Sequence, residues 1–536
     1  MSRPVVWSIA GTDSGGGAGL SADQRTADAF GVHLCGVVAA VTAQNSQRVE
    51  HIAPMPSELI DAQLRALGSD MPPVAIKTGL LGGAQQIITV ARAIDRLRAE
   101  RPVALVVDPV LAASTGAQFA DADALAAYRD ELLPRATVVT PNRREAYRLL
   151  NERLGDDRDL SAIPELARAL RAYGAGAVCI TGGDALDIPT QALDWMSSEH
   201  ASGWLTSQRI PTPNTHGTGC TFATAIACAL TMDFVPADAI ILAKMATTHA
   251  IRQGYQAGAG AGPVHAHPGF ADDRTLLPRM SWGEAPWFAQ PRAFAPRRLG
   301  LYAIVESIER LHDVLAAGVR TIQLRIKRPA RPDTPWHSAL RSAVQQGVAA
   351  CRAANAELFI NDHWTIAQEC GASGVHLGQE DLLALGEEAR RAIVESGIAL
   401  GISTHSLWEL CRARSLSPRY IACGPVWPTL TKDMPWRPQG LENLRWWRHM
   451  AGTPVVAIGG ILEPEQARAA SRCGVDGVCI VRALGASPQH TAPKFITALE
   501  IGRGDPLPPV PAFPRPSLVA CHHDSVDCVC TDGAVK

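Results

Sequence analysis

The chain has 536 residues, 47% of them hydrophobic and 19% charged, with a formal net charge of -2. That length exceeds one ordinary core, so two or three domains are expected. The balanced charge leaves no basic footprint for nucleic acid, and no apolar run has the length of a membrane-spanning helix. The opening "MSRPVVWSIAG" lacks the length and cleavage pattern of a signal peptide. Ten of the 13 cysteines are scattered singly through the folded regions, which reads as a reduced cytoplasm and not a disulfide framework.

The first half alternates strand candidates with helical segments. "VVWSIAG", "GVVAAVTAQN", "PVAIKTG", "PVALVVDPV", "ATVVTPN" and "AVCITGG" are apolar runs ending in polar residues or glycine. Buried parallel strands read this way, and ligands of such sheets bind at the strands' carboxyl ends. Those ends hold Asp13, Gln44, Asn45, Lys77, Asp108, Asn142 and Gly182-Gly183. "GTDSGGGAGLSADQRT" follows the first strand and meets neither the Walker nor the dinucleotide pattern. Asp23, early in the next helix, is placed to accept a bond from a ligand or to cap the helix. "NTHGTGCTFATAIACAL" starts an apolar helix with Gly217, Thr218, Gly219 and Cys220. Unpaired N–H groups and the helix dipole make such a start an anion site, with plain helix initiation as the competing reading.

"AGTDSGGGAGLSADQRT", "TAQN", "DPV", "TPNRREA", "NTHGTGC" and "GPVHAH" together resemble the hydroxymethylpyrimidine and phosphomethylpyrimidine kinase family over about residues 4–267. The resemblance implies a ribokinase-like, three-layer α/β domain that phosphorylates a pyrimidine twice with ATP. It implies pyrimidine contacts at Asp23 and Gln44, with Gly11 against the same ligand. Glu145 would organise Mg²⁺ through water. Asp108, Asn142, Gly217, Thr218 and Gly219 would form the phosphate and ATP region. Cys220 would be the catalytic cysteine, its thiol pKa lowered by the helix N-terminus so that a thiolate accepts the substrate hydroxyl proton. Two lysines usual in the family are missing, at Ser114 and Thr181. They leave open a pyridoxal-type or sugar kinase, or a regulatory module that keeps the pyrimidine pocket with weak catalysis.

Residues 267–298 are irregular, rich in proline and aromatic residues, and read as a linker that packs on its neighbours. From Leu299 eight strand candidates follow, each with room for a helix: "LYAIV", "TIQLRIK", "ELFIND", "GVHLG", "ALGIS", "YIACGPV", "PVVAIGG" and "GVCIV". This rhythm predicts a (β/α)₈ TIM barrel, with an open sheet as the competitor. Period-two alternation would put Gln323, Arg325 and Lys327 on one face. Asp362 and Asp381, at neighbouring strand ends beside cations, suit Mg²⁺ on a polyphosphate.

"QLRIK", "FIND", "GVHLGQED", "ISTH", "PTLTK" and "VAIGGI" resemble thiamine-phosphate synthase over about 299–499. The resemblance implies that Gln323 contacts the pyrimidine and that Arg325, Lys327, Asn361 and Lys432 hold a pyrophosphate. Asp362 and Asp381 would hold Mg²⁺, and Ser403 would lie at the reacting centre. Thr429, Thr431 and Gly460 would serve a thiazole phosphate. His376 and His405 are expected to support or pack. Arg482 departs from the serine usual there.

The expected division is 1–270, a linker 271–296, a barrel 297–503 and a disordered Pro- and Cys-containing tail 504–536. Cys521, His522, His523, Cys528 and Cys530 in that tail are a weaker zinc candidate. The expected partners are small pyrimidine and thiazole phosphates, with neither nucleic acid nor membrane; a homo-oligomer is left open.

Overall fold

The computed structural model describes residues 3–112, 119–152, 159–183, 190–294, 298–429 and 435–518. The chain divides into two compact units, the first running to Ala271 with Thr275–Pro278, the second comprising Asp272–Arg274 and Arg279–Leu518.

The first unit holds β1 (Val5–Asp13), β2 (His33–Gln44), β3 (Val49–Pro54), β4 (Ala75–Thr78), β5 (Ala104–Val107), β6 (Val138–Val139), β7 (Ala177–Ile180), β8 (Gln191–Ser197) and β9 (Ser202–Gln208). They lie in the order β9-β8-β7-β6-β5-β4-β1-β2-β3. The strands from β7 to β2 are parallel, as their apolar runs predict. β3 and the β8–β9 hairpin are antiparallel additions that the apolar-run pattern does not reveal. β3 is a partly exposed edge, and β8 carries Asp194 in its middle. The helix Thr218–Thr231 is buried from Thr221 onward and packs on β1, β4 and β5. A helix apolar on all sides belongs in such an interior. This is the α/β architecture expected of the first domain.

A two-residue strand, β10 (Arg279–Met280), precedes the barrel. The barrel strands are β11 (Gly300–Val305), β12 (Thr321–Leu324), β13 (Glu357–Asn361), β14 (Gly374–Leu377), β15 (Ala399–Thr404), β16 (Tyr420–Cys423), β17 (Val455–Ala457) and β18 (Gly477–Ile480). They close in sequence order, so the open-sheet alternative falls. Tyr302, Phe359, Tyr420, Val456 and Cys479 fill the interior. Large rings there require small neighbours: a Cβ on Gly401 would lie 2.2 Å from Tyr420 Cζ, and one on Gly374 2.5 Å from the Phe359 ring.

Three expectations change. β12 ends at Leu324, so strand alternation cannot orient Lys327, which sits exposed in the following loop. The expected linker is built into the second unit from Arg279 onward: the Trp282 indole N–H donates to the Arg412 carbonyl at 3.0 Å, and the Arg390 and Arg412 guanidinium groups lie over its ring. The expected disordered tail is ordered at its start. The Arg437 N–H donates to the Ser517 carbonyl at 2.9 Å, and Arg515 exchanges hydrogen bonds with Asn443 at 2.6 and 3.0 Å. The tail's Cys and His residues lie outside the described residues.

Gly401→Ala is expected to destabilise the barrel by about 1–3 kcal/mol, because Tyr420 has no room to retreat. The barrel's urea-unfolding midpoint checks this; an unchanged midpoint would show that the ring moves freely.

Candidate active sites

In the first unit, the carboxyl ends of β1, β4 and β5 meet the start of helix Thr218–Thr231. Lys77 and Asp23 are fully buried beneath this junction. The Lys77 ammonium donates to both Asp23 oxygens at 3.0 and 3.1 Å, and the Ser8 and Thr224 hydroxyls donate to them at 2.6 and 2.8 Å. Asp23 is thus saturated, and its geometry fits anchoring Lys77 better than the direct pyrimidine contact expected of it. Burial works against the Lys77 charge, but Asp23 above all, with Asp108, holds its pKa above the ordinary lysine value.

Asp108 follows β5 and is buried, and its Oδ2 has no hydrogen-bond partner. Burial lifts its carboxyl to about 6, with Lys77 pulling down and Asp23 pushing up. A Cβ on Gly219 would lie 3.9–4.0 Å from the Asp108 oxygens, so the carboxylate faces the first helical turn. Cys220 is half-buried there. The lowered thiol pKa expected of it is not found. Burial pushes the thiol up to about 12; Lys77 draws it down, but Asp23 and Asp108 add to the rise. The resting side chain is a thiol.

The glycine-rich loop is held by Asp13, whose carboxylate accepts from the Gly15, Gly17 and Ala18 N–H groups at 2.8–2.9 Å. His216 Nε2 lies 2.9 Å from Asp13 Oδ2 and 3.3 Å from the Gln44 amide, tying the loop to the end of β2. Burial works against the Asp13 charge, yet His216 and the loop N–H groups hold its pKa below the usual carboxylate value. Gly217 has φ +87°, and a Cβ there would lie 2.2 Å from the Gly17 carbonyl oxygen, so only glycine lets the loop and the helix start touch. The helix has no side-chain N-cap, although the Thr218 N–H donates to the Thr215 carbonyl at 3.3 Å. Gly11 packs close to Leu80, whose Cδ2 would lie 3.2 Å from an added Cβ. The Thr218 hydroxyl donates to the Thr215 carbonyl at 2.6 Å. Asp13, a strand-end candidate, thus serves the loop, and the part of His216, within "NTHGTGC", becomes legible only where the two meet.

Asn142 and Glu145 form a reciprocal capping box on helix Arg143–Leu149, at 2.9 Å in both directions. Glu145 therefore has a structural task, which is compatible with reaching a cation only through water. At the lysine-deficient position Thr181, the neighbouring Gly182 has the Arg143 guanidinium 3.1 Å from where its Cβ would stand. A cation does occupy that strand end, supplied from the first turn of helix Arg143–Leu149. Ser114 lies outside the described residues.

In the barrel, Gln323 and Asn361 are buried at the ends of β12 and β13, and the Gln323 amide donates to Asn361 Oδ1 at 2.6 Å. Arg325 lies past the end of β12, 3.9 Å from Glu306. Asp362 adopts φ +64°, an uncommon conformation for a non-glycine residue. Its carboxyl is held up to about 6, by loss of surrounding water first and then by the nearby negative charge of Asp381; Arg325 opposes the rise. Asp381 Oδ2 also accepts from the Gly378 N–H at 2.9 Å. A cavity of about 530 Å³, lined by Trp336, His337, Arg341 and His363, reaches Asp362 but touches none of the other expected barrel-site residues. Ser403, half-buried on β15, has its hydroxyl 3.0 Å from His376 Nε2. Burial pushes His376 down to about 4, so its ring is uncharged at neutrality. His405 pairs with Glu409 at 2.8 Å and stacks on Trp436. Gly459 and Gly460 have φ +92° and +71°, and a Cβ on Gly460 would collide with Trp427 at 2.6 Å. Thr429 is half-buried; Thr431 and Lys432 lie outside the described residues. Arg482 is exposed at the start of a 3₁₀ turn.

Among the described residues no three His, Cys, Asp or Glu side chains gather into a metal site. Mg²⁺ commonly takes only one or two carboxylates and completes its shell with phosphate oxygens and water. The Asp362–Asp381 pair, two acids crowded together without a cation, fits that use.

The structure joins an α/β domain, whose helix Thr218–Thr231 starts without a side-chain cap, to a closed eight-stranded barrel in which Asp362 and Asp381 lie just past neighbouring strands. Residues 13–265 match the family described as phosphomethylpyrimidine kinase, and residues 301–484 match thiamine monophosphate synthase. A probable chloroplastic thiamine biosynthetic bifunctional enzyme of Oryza sativa subsp. japonica is 34% identical over 507 residues, covering 92% of this chain and 88% of its own. A hydroxymethylpyrimidine/phosphomethylpyrimidine kinase of Synechococcus elongatus is 41% identical over 271 residues, 50% of this chain and 100% of its own. A pyridoxal kinase structure from Staphylococcus aureus covers 49% of this chain and 93% of its own at 30% identity, with a TM-score of 0.45. The chain belongs to the family of bifunctional thiamine biosynthetic enzymes, in which a pyrimidine kinase is fused to thiamine-phosphate synthase.

Lys77→Met is expected to cost about 3–5 kcal/mol, because it strands a buried carboxylate, and Lys77→Met with Asp23→Leu should recover most of that loss. Urea unfolding of the three proteins checks this; equal losses in the single and double variants would mean that the pair is not the cause.

Proposed function

We propose that the first unit transfers the γ-phosphoryl group of ATP to hydroxymethylpyrimidine and then to its monophosphate, and that the barrel joins the resulting diphosphate to a thiazole phosphate. The kinase reading is carried by Asp108 Oδ2, a buried oxygen with no partner, facing the uncapped start of helix Thr218–Thr231. Phosphoryl transfer needs anion stabilisation and an aligned nucleophile, with little covalent work from the protein. Gly217 and Gly219 offer backbone N–H groups to the phosphates, Thr218 would join them by giving up its 3.3 Å bond to the Thr215 carbonyl, and Asn142 closes the same region. Gln44 orients the pyrimidine against Gly11. Cys220 stands at the reacting hydroxyl, and Asp108 beside it is the group that titrates near neutrality; the hydroxyl proton leaves through this couple.

The barrel reading is carried by the Asp362–Asp381 pair. These residues, and in the first unit Glu145 through water, would hold Mg²⁺, which when bound neutralises charge on the phosphates. Arg325, Lys327, Asn361 and Lys432 neutralise the departing pyrophosphate. Gln323 and Ser403 orient the aminopyrimidine, whose electron-rich ring supports a methylene cation as the C–O bond breaks. The thiazole nitrogen then forms the new C–N bond, so no base need act on the nucleophile. Thr429, Thr431 and Gly460 hold the thiazole phosphate. The ten described cysteines are all free, which supports a cytoplasmic setting. No helix among the described residues is long and apolar enough to cross a membrane.

The test is a crossed pair of variants. Cys220→Ala keeps a good helix former in place and should lower kinase turnover by about 10²–10⁴. It should still make thiamine phosphate from ready-made diphosphate and thiazole phosphate. Asp362→Ala should do the reverse. Kinase activity at the normal rate in folded Cys220→Ala would reduce the helix start to a phosphate cradle.

Acid dependence gives a second check. An acid lifted to about 6 is ionised, and able to accept a proton, only above that pH. Kinase kcat/KM should therefore rise with pH through about 6, and Asp108→Asn should remove that limb while lowering turnover. A pH profile unchanged in Asp108→Asn assigns the proton to another group.

A further inference from the structure

Six side chains form one continuous run of hydrogen bonds across the barrel interior, from Ser403 at one strand end to Asn361 at another. The donor at each link follows from chemistry. At the Asn361 end the Gln323 amide NH₂ donates to Asn361 Oδ1 at 2.6 Å. The Gln323 NH₂ is then spent on Asn361, and Gln323 Oε1 must accept from the Tyr302 hydroxyl at 3.0 Å. With the Tyr302 proton committed, Tyr420 donates to Tyr302 at 2.7 Å. With the Tyr420 proton committed, its oxygen accepts at 2.8 Å from His376, which must carry its hydrogen on Nδ1. An uncharged imidazole then has a bare Nε2, and Ser403 donates to it at 3.0 Å.

We infer that this one-way run makes Ser403 a pure hydrogen-bond acceptor towards the pocket, and that His376, Tyr420 and Tyr302 are positioning residues selecting a pyrimidine that presents a ring amino group. The Ser403 proton is turned inward, so only lone pairs face a ligand. A ring amino group donates to them; a ring carbonyl at the same place meets lone pair against lone pair. Sites built around a polar group reject the mismatched analogue strongly, because a buried partner is left unpaired. The run also explains two tyrosines inside a barrel core: both are buried with their hydroxyls satisfied. The inference rests on the reading of the barrel as an aminopyrimidine-using synthase.

The discriminating variant is Tyr302→Phe, which touches neither Ser403 nor His376. Without the Tyr302 oxygen, Tyr420 is free to donate to His376 Nδ1, the imidazole hydrogen moves to Nε2, and the direction reverses. In ring-¹⁵N-histidine-labelled full-length protein, with the signal assigned by His376→Gln, the wild type is expected to show hydrogen on Nδ1 and Tyr302→Phe hydrogen on Nε2. Synthase kcat/KM for the aminopyrimidine diphosphate should fall at least about tenfold, with KM for thiazole phosphate and the Mg²⁺ titration unchanged. A wild-type His376 with hydrogen on Nε2, or on both nitrogens, overturns the inference. So does Tyr302→Phe with the wild-type tautomer or full activity. If the wild-type tautomer is as expected but no thiamine phosphate forms, the synthase reading falls and the direction of the run stands. Tyr420→Phe, which leaves Nδ1 without its acceptor, serves as the second variant should Tyr302→Phe fail to fold.

Discussion

A charge removed from water must be compensated where it lies, and this constraint shapes both sites. In the first unit Lys77 is wholly buried and needs Asp23; Asp23 needs Ser8 and Thr224 to satisfy its remaining lone pairs. A second buried pair, Lys244 with Asp194 at 2.6 Å, fixes the end of β7, because Asp194 also accepts from the Gly182 N–H at 3.0 Å. With these charges locked, Asp108 at the centre keeps an unpartnered carboxylate oxygen, beside the unpartnered Thr78 hydroxyl. The barrel reaches a similar state with Asp362 and Asp381. Each framework saturates its structural acids and leaves a carboxylate under strain where a phosphate or cation arrives.

Much of this was legible in the sequence, for a physical reason. Parallel strands covered on both faces must be apolar throughout, so eight barrel strands and six sheet strands stood out as short runs. Their carboxyl ends must be polar, so Asp108, Gln323 and Asp362 stand out as strand-end candidates, whereas Ser403 follows only from the family resemblance. What escaped was information held in distance across the chain. β8 and β9 pair antiparallel and carry polar residues that break the run pattern. Tyr302 and Tyr420 read as apolar strand letters in "LYAIV" and "YIACGPV"; only a closed barrel brings their hydroxyls together, from positions 118 residues apart. The ordered start of the tail was misread because proline excludes helix and sheet but not packing.

Cys220 shows the limit of a local rule. A helix N-terminus lowers a thiol pKa. Burial pushes the other way, and Asp23 and Asp108 reach the same thiol from elsewhere in the chain to add to the rise. The missing lysine at Thr181 teaches the converse. A motif gap suggested a lost charge, but Arg143, one residue beyond the Asn142 cap, brings a guanidinium to the same strand end. Local motifs name the chemistry; the summed field at the site decides protonation.

The two reactions then ask opposite things of their buried groups. The kinase must accept a proton from an alcohol, so it profits from a group whose pKa lies close to the working pH. Asp108, lifted to about 6, is such a group. The synthase breaks a C–O bond to a stabilised cation and has no proton to remove from its nucleophile. A titrating group beside that cation would add a competing charge. His376, pushed down to about 4 and held between Tyr420 and Ser403, contributes direction without contributing charge. Burial produces both results: it raises an acid and lowers a base, so one physical effect readies Asp108 to exchange a proton and keeps His376 neutral.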